Sequence, residues 1–253
     1  PDNTRPEGTT ITRLKVNAPG LRVLPFRLFD KLRIREAAVA PAGEEVWQPV
    51  AFIQEKDEQD SDPAVVLRAG LAAGDVVRLR LRYEGKEVLH DTGDGSFAVR
   101  ARESWYPNLG TFRETATFEI TYRVPKATQV VSVGERTGER TEGDERVTVW
   151  KAVHPIRVAG FNFGKFRRLE TDDKDSEMKI EVYTSPGTPD AIKEINLALQ
   201  SGSFGQTSAG NPRSVNTENY WGPQAGLHDV QLDTDSFAKG AMADGVNSAR
   251  MFT

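Results

Sequence analysis

The sequence predicts a mainly β protein, an antiparallel β-sandwich followed by a short α-helical segment at the C-terminal end. Residues 77–83 alternate Val, Leu, Leu and Tyr with three Arg, and residues 116–124 alternate apolar and polar side chains in the same way. This period of two is typical of half-buried strands. Turn signals separate the strands with no helix between them, which favours a sandwich over an α/β fold. After Pro186 the pattern changes to helical spacing.

Six segments are predicted as strands from their alternation, and Gly, Pro and Asp mark the turns between them. They are residues 10–16, 31–37, 46–54, 77–83, 116–124 and 178–183. A hairpin is predicted from 129–133 to 146–150, with an exposed tip at 134–145 that contains only charged residues, Thr and Gly. Residues 1–8 are predicted to be a disordered tail or linker, residues 9–187 the sandwich, and residues 188–253 a loop-rich helical segment.

The helical segment starts at Thr188-Pro189-Asp190, which has the pattern of an N-cap followed by Pro at the first helical position. Residues 201–223 are rich in Gly, Ser, Asn and Thr, with Tyr220 and Trp221 among the few large side chains. They predict a long loop.

A second helix is predicted from about residue 234 to the end of the chain. Its apolar positions predict that Phe237, Ala241, Ala249 and Phe252 face inward. Two Gly, at positions 240 and 245, are expected to weaken it by roughly 1 kcal/mol each relative to Ala.

Composition limits the classes of function. With 253 residues, 38% apolar and 28% charged, the chain can bury a core. A net charge of −4 gives no basic footprint for nucleic acid. The absence of Cys excludes disulfides and thiolate metal sites. No apolar run approaches the roughly 20 residues of a membrane span. The chain starts without Met and its helical pattern runs to Thr253 without a stop, so we expect it to be a piece of a longer protein.

Residues that could bind metal are scattered. None of His90, His154 and His228 lies in an H-E-x-x-H motif or has a second His three to five residues away, which favours surface or structural roles. The acidic runs at 55–62 and 172–177 lack the spacing of a calcium loop. They are interpreted as solvated loops, and the alternative is that one of them binds a calcium ion weakly at the surface.

Two catalytic patterns are incomplete. Asp91-Thr92-Gly93 matches the aspartic protease triplet, but that chemistry needs two carboxylates and the chain has one copy, so a turn over residues 90–96 is predicted. No G-x-S-x-G nucleophile elbow, G-x-G-x-x-G fingerprint or P-loop is present.

A series of motifs runs in consistent order over about 150 residues, from Leu14 to Gly164. It comprises a strand ending in Tyr-Glu-Gly at 83–85, Ala-Arg-Glu-Ser-Trp-Tyr-Pro-Asn at 101–108, the strand with Pro at 116–125, Val-Ser-Val-Gly at 131–134, Val-Trp to His-Pro at 149–155, and Val-Ala-Gly-Phe-Asn-Phe-Gly at 158–164. Together they resemble the N-terminal β domain of the aminopeptidase N family of gluzincin zinc metallopeptidases.

The resemblance implies an extended, saddle-like sandwich that packs on a catalytic domain and helps to close its substrate cleft. The helices after residue 187 would begin that next domain. The implied partners are the chain's own downstream catalytic domain and a peptide substrate, with no nucleic acid and no membrane span. Zinc is expected only in the missing domain, so this chain carries no cofactor and is not an enzyme by itself. A periplasmic or secreted location is favoured over a cytoplasmic one.

The chain departs from the family in two places. A family Glu that holds the substrate amine is missing before Ala101, where Arg100 would repel an ammonium group. Glu103 could replace the missing Glu only if the loop directed its side chain toward the substrate amine. Gly-Ala-Met-Ala-Asp at 240–244 is similar to the Gly-x-Met-Glu-Asn exopeptidase motif, but Ala243 stands where the motif has Glu. The segment is interpreted as part of a helix.

Five residues are candidates for an interface or cleft wall: Arg100, Arg102, Glu103, Trp105 and Tyr106. In this hypothesis Arg102 bridges to a carboxylate or to loop carbonyls, and the aromatic rings fill the gap between sheets. The alternative is a core cluster at the entry to a strand. Both predict that Trp105 is buried.

Three functions therefore stay open. The first is a non-catalytic domain of a metallopeptidase-like protein, which predicts an exposed apolar patch on a sheet face or on the terminal helix. The second is a free-standing sandwich that binds peptide or glycan, with a groove lined by aromatics such as Trp47, Tyr220 or Trp221. The third is a hydrolase in its own right, for which we expect neither zinc binding nor turnover.

Overall fold

The computed structural model describes residues 5–56, 62–92, 95–110, 114–186 and 234–252, together with 193, 194 and 197. The chain forms two compact units. The first consists of Pro1–Asp91 and Phe97–Phe163, and the second of Thr92–Ser96 and Gly164–Thr253. The predicted division at residue 187 therefore falls inside the second unit.

The described residues form sixteen strands and one long helix. They are β1 (Glu7–Lys15), β2 (Leu21–Pro25), β3 (Leu32–Pro41), β4 (Gln48–Pro49), β5 (Ala51–Ile53), β6 (Ala64–Leu71), β7 (Val76–Gly85), β8 (Leu89–Asp91), β9 (Phe97–Val99), β10 (Ala116–Pro125), β11 (Gln129–Ser132), β12 (Glu135–Glu142), β13 (Glu145–Ile156), β14 (Phe161–Gly164), β15 (Arg167–Asp173), β16 (Met178–Thr184) and α1 (Thr234–Phe252).

The strands form four sheets in the first unit and a two-stranded β15–β16 ladder in the second. The four sheets have the orders β1-β7-β3-β4, β2-β6-β5, β11-β14-β9-β8 and β10-β13-β12. The strand pairs whose register is described are antiparallel. The predicted fold class, a mainly β antiparallel protein followed by a helix, is confirmed.

The alternation in β7 places its apolar side chains in the core of the first unit. Leu79 and Leu81 are fully buried, and Tyr83 is buried beside them. Burial raises the pKa of Tyr83 to about 12. A Cβ atom at Gly8, on β1, would lie 2.5 Å from the Tyr83 ring, so the paired strand must have Gly at this position.

The predicted strand over residues 46–54 is wrong as one continuous element. β4 pairs with β3, and β5 pairs with β6 in a different sheet, so the chain changes sheets at Val50. Pro49 lacks the N–H that a continuing ladder needs. Beyond β5, the side-chain amide of Gln54 donates to Leu32 O and accepts from Ile34 N, both at 2.9 Å, and so continues the hydrogen bonding of β3.

The predicted hairpin between 129–133 and 146–150 is also wrong. β11 joins the sheet of β14, and it is β12 that pairs with β13. Gly134, at φ +81°, turns the chain between β11 and β12, and a Cβ there would lie 2.3 Å from Lys151 O. The predicted exposure is largely observed, since almost all of β12 is exposed.

Helix α1 packs in the second unit against β15 and β16. Its inward face is Ala238, which is buried, with the half-buried Met242, Gly245 and Ala249. The predicted inward positions of Phe237, Ala241 and Phe252 are therefore wrong. Small residues form the contact because the helix lies close to the β15–β16 ladder. A Cβ at Gly245 would be 3.0 Å from Ile180 Cγ2. None of the described helices is long and apolar enough to span a membrane.

The acidic run at 172–177 is not simply solvated. Asp173 is buried at the turn between β15 and β16 and accepts hydrogen bonds from Ser176 N at 3.0 Å and Ser176 Oγ at 2.8 Å. The Arg250 guanidinium of α1 donates to both its carboxylate oxygens, with Nε 3.1 Å from each. These contacts hold the pKa of Asp173 well below its usual 3.8. The prediction failed because the partner lies 77 residues further along the chain.

Two predicted elements, the helix after residue 188 and the loop over residues 201–223, lie outside the described residues, apart from residues 193, 194 and 197, which are helical.

Candidate functional site

The loop over residues 100–108 connects β9 to the segment before β10 and starts with a tight turn. Glu103 N donates to Arg100 O at 2.9 Å. Ser104 follows in the left-handed region at φ 58°, a conformation that non-glycine residues adopt rarely. Its carbonyl accepts from Phe29 N at 2.9 Å, which ties this unusual turn to the segment between β2 and β3.

The far end of the loop is fixed by a β-bridge between Arg27 and Asn108. Their backbones exchange hydrogen bonds of 2.7 and 3.1 Å. The Asn108 side chain adds two local bonds, from Nδ2 to Tyr106 O at 3.0 Å and from Gly110 N to Oδ1 at 2.7 Å. Both ends of the loop are therefore anchored by backbone bonds.

The half-buried Trp105 forms the centre of the loop. Its indole Nε1–H donates to Ala159 O at 2.9 Å. Its ring meets Tyr106 and Phe161 edge to face, with centroids 5.0 and 5.1 Å apart. These are favourable aromatic geometries, and they fix the indole in one orientation. The predicted packing of Trp105 against the core is observed, with the side chain half-buried rather than fully buried.

Tyr106 connects the loop to the strand that follows it. Its ring lies 5.6 Å from that of Phe118 on β10. Burial raises the pKa of the Tyr106 hydroxyl, and a hydrogen bond from the Ala159 backbone partly offsets this. Tyr106 is therefore protonated at neutral pH, and its ring packs between the loop and β10.

An aromatic cluster continues from Trp105 into the core. Tyr122 and Phe161 lie 4.8 Å apart, and Phe163 stacks on Phe97 at 4.9 Å. The Tyr122 hydroxyl lies 2.8 Å from Ser132 Oγ, and burial raises its pKa. The sequence motifs at 158–164 and 131–134 thus contribute to one packed cluster.

The charged candidates face solvent. Arg100 and Glu103 form an exposed pair at 3.3 Å. Arg102 is exposed, and within the described ranges its side chain has no hydrogen bond or ion pair, so the predicted bridge to a carboxylate or to carbonyls is not found there. The structure brings together Trp105 and Tyr106, and leaves the three charged residues on the surface.

The candidate metal ligands are dispersed in the part of the chain that the structure describes. No three His, Cys, Asp or Glu side chains there lie close enough to hold a metal ion. His90 and His154 are exposed, and His228 lies outside the described residues. Asp91 ends β8 and pairs with Phe97 at the start of β9, and Thr92 N donates to Ser96 O at 3.0 Å. Residues 93 and 94, within the predicted turn, lie outside the described residues.

Sequence reasoning missed a groove of about 670 Å³ on the outer face of the β1-β7-β3-β4 sheet. Arg80 and Arg82 line it together with apolar residues of β3 and of the segment around β4 and β5. Trp47 lies beside it, with its ring centroid 4.7 Å from the Arg80 guanidinium carbon. The alternation of Arg in β7 was the available signal, and it indicated a solvated face.

Neither a protein-family model nor a curated protein matches the sequence. Solved structures do match. A crystal structure of M1 zinc metallopeptidase from Deinococcus radiodurans has 18% identity and a TM-score of 0.58, covering 81% of this chain and 50% of that one. A mutant of that enzyme bound to a Tyr-Ser-Ala substrate has 17% identity and a TM-score of 0.60, covering 78% and 49%.

A two-domain M1 zinc metallopeptidase mutant bound to L-arginine has 18% identity and a TM-score of 0.58, covering 77% of this chain and 48% of that chain. The chain thus spans about half the length of the structures it matches. The likeness confirms, at the level of the fold, the resemblance carried by the motifs between residues 14 and 164.

Proposed function

We propose that this chain is a non-catalytic portion of an aminopeptidase-like metallopeptidase, which packs against a catalytic domain and shapes the wall of its substrate cleft. The observation that carries the proposal is the fold shared with M1 zinc metallopeptidases over most of this chain but only half of theirs. The anchored loop with Trp105 and Tyr106 supports it, because a cleft wall has to be rigid.

Exposed apolar side chains on α1 support the packing role. Phe237, Met251 and Phe252 are 46%, 81% and 83% exposed. Around an α-helix with 3.6 residues per turn these three positions fall within an arc of about 100°, so the three side chains form one stripe. Such a patch is typical of a surface that another domain covers.

The zinc chemistry in this proposal belongs to residues beyond the chain. The described residues offer no cluster of metal ligands, and Glu103 is already paired with Arg100. The chain's own contribution would be shape and contacts to a peptide, and a periplasmic or secreted location is part of the same proposal.

The first test is to read the coding sequence downstream of Thr253. We expect an H-E-x-x-H helix with a further Glu about 18 residues later, the spacing that the resemblance implies. A stop codon directly after Thr253 would contradict the proposal.

The second test uses that longer protein and a series of peptide amides. The double change Arg102→Ala and Glu103→Ala should alter kcat/KM by about threefold or more for some peptides, with an unchanged melting temperature. Arg13→Ala, on an exposed position of β1, is the matched control and should leave the series unchanged. Equal kinetics for both variants would remove these residues from the cleft wall.

A second candidate, a free-standing sandwich that binds a peptide or glycan, is favoured by the groove beside Trp47. It predicts that this chain binds its ligand alone, without a catalytic domain. A stop codon after Thr253 would favour this candidate.

A further inference from the structure

The groove on the outer face of the first sheet has an apolar floor and a cationic edge. Ala38, Pro49, Val50 and Phe52 supply the apolar lining, and Arg80 and Arg82 enter from β7. Its volume of about 670 Å³ lies within the usual range for small-molecule sites.

The other cations of the groove are neutralised by neighbouring carboxylates. Arg82 Nη1 lies 3.2 Å from Glu36 Oε1. Arg35, which also lines the groove, lies 2.8 Å from Glu84 Oε1. Arg82 and Arg35 therefore already have carboxylate partners within the protein and do not require one from a ligand.

Arg80 differs from them. It is half-buried, and among the described residues its side chain has no hydrogen-bond acceptor and no carboxylate partner. Its guanidinium lies over Trp47, at 4.7 Å from the ring centroid. Arg78 lies at 4.8 Å from the same ring but pairs with Glu45 at 3.2 Å.

We propose that this groove binds a carboxylate attached to a short apolar chain, with Arg80 as the anion-binding group. A guanidinium over an aromatic ring keeps its N–H groups available at the edge, where a carboxylate can accept two parallel bonds. The apolar lining would bury the alkyl part.

The proposal is tested with the isolated chain and hexanoate as the probe. The chain has four Trp, so a ¹H–¹⁵N spectrum has four indole signals, and Trp47→Phe identifies the one at the groove. We expect hexanoate to shift the Trp47 signal saturably, with a dissociation constant of about 1 mM. Hexanamide, which has the same length and no charge, should bind at least about tenfold more weakly.

The matched variants are Arg80→Met and Arg13→Met. Each removes one positive charge from the outward face of the same sheet, but Arg13 lies outside the groove. Arg80→Met should weaken hexanoate binding by about tenfold or more, and Arg13→Met by less than about twofold. Arg80→Lys should bind more weakly than the parent because it cannot form the two parallel bonds.

N-acetyl-leucine distinguishes the source of the carboxylate. Tighter binding than hexanoate would assign the groove to the C-terminal end of a peptide, and weaker binding to a free aliphatic acid. The proposal is overturned if the Trp47 signal does not move saturably, if hexanamide binds as tightly as hexanoate, or if both Met variants lose affinity equally.

Discussion

Gly134 and Gly143 both have positive φ, at +81° and +59°, but their surroundings differ. A Cβ at Gly134 would lie 2.3 Å from the backbone oxygen of Lys151, whereas a Cβ at Gly143 would meet nothing within 4 Å. The two positions separate the cost of the backbone conformation from the cost of a steric clash.

We expect Gly143→Ala to lower the free energy of unfolding by about 1 kcal/mol, the cost of a left-handed Ala. Gly134→Ala should cost at least about 2 kcal/mol more, because the β12–β13 ladder must also move away. Urea denaturation of both variants measures the difference. Equal losses would mean that the clash is relieved without displacing the ladder.

The indole nitrogen of Trp105 allows a second comparison. Trp105→Phe leaves Ala159 O without this donor and should cost about 1 kcal/mol of stability. Trp47→Phe is the control, since within the described residues the Trp47 indole nitrogen donates no hydrogen bond. A melting temperature that is equally affected by both changes would contradict a specific role for the indole–carbonyl bond.

Single residues also show what sequence alone can predict at this scale. Trp105 and Tyr106 were expected either to fill the gap between sheets or to form a core cluster at the entry to a strand, and both are partly buried against the core of the first unit. Arg102 was expected to form a bridge that the described residues do not provide. A long charged side chain can stay hydrated at little cost, so its type does not determine its partner.

Among the elements, α1 is held at its C-terminal end by the pair of Arg250 and Asp173. The carboxylate binds fewer protons in the folded state than in the unfolded one, because its folded pKa is lowered. Its contribution is therefore fully present above the usual pKa of 3.8 and decreases as the pH falls below that value.

The expected outcome is that Arg250→Met destabilises the second unit at neutral pH and that its difference from the parent shrinks between pH about 5 and pH about 3. Far-UV circular dichroism during thermal unfolding measures it. Lys239→Met removes one charge from an exposed position of the same helix and should show no such trend. If the stability difference between Arg250→Met and the parent grew as the pH fell, it could not come from the pair of Arg250 and Asp173.

The two Gly residues of α1 are also expected to behave differently. A Cβ at Gly240 would meet nothing within 4 Å, so Gly240→Ala should stabilise the helix by about 1 kcal/mol. At Gly245 the added methyl would press on Ile180, so Gly245→Ala should gain less than Gly240→Ala or lose stability. Chemical denaturation checks the order, and the reverse order would show that the helix can move away from β16.

The positions of the strands were predicted more accurately than the way in which the strands pair. β1, β3, β7, β10 and β16 follow from local alternation, which each segment carries by itself. The pairing of β11 with β14 and the division between β4 and β5 depend on residues far apart in sequence, which alternation cannot report. The face of α1 was misjudged because close packing selected Ala238 and Gly245 over the larger Phe237.

For the molecule as a whole, we expect no metallopeptidase activity from this chain alone. Zinc titration by calorimetry should give no stoichiometric site, and an aminoacyl amide assay should give no turnover, because the sequence lacks the H-E-x-x-H motif. A copper titration, monitored by the same calorimetry, is the control for weak binding of metal ions to exposed His side chains. A saturable one-to-one zinc site with turnover would overturn the non-catalytic role.

The fold class was predictable from sequence because turn signals and alternation extend along most of the chain. The groove beside Arg80 was not, since it is built from β1, β3, β7 and the segment around β4 and β5, which meet only after folding. The sequence carried two signals for this region, the alternating Arg residues of β7 and Trp47, which was one of several aromatics expected to line a binding surface. Neither of them specifies a groove.

The bond between Trp105 and Ala159 has a practical consequence for protein engineering. The loop keeps its path through that bond, the contact of Ser104 with Phe29 and the bridge of Asn108 with Arg27. None of these uses the side chains at positions 100, 102 and 103, which point to solvent. A spectroscopic label or a crosslinker can therefore be attached at these three positions while the backbone of the loop stays in place.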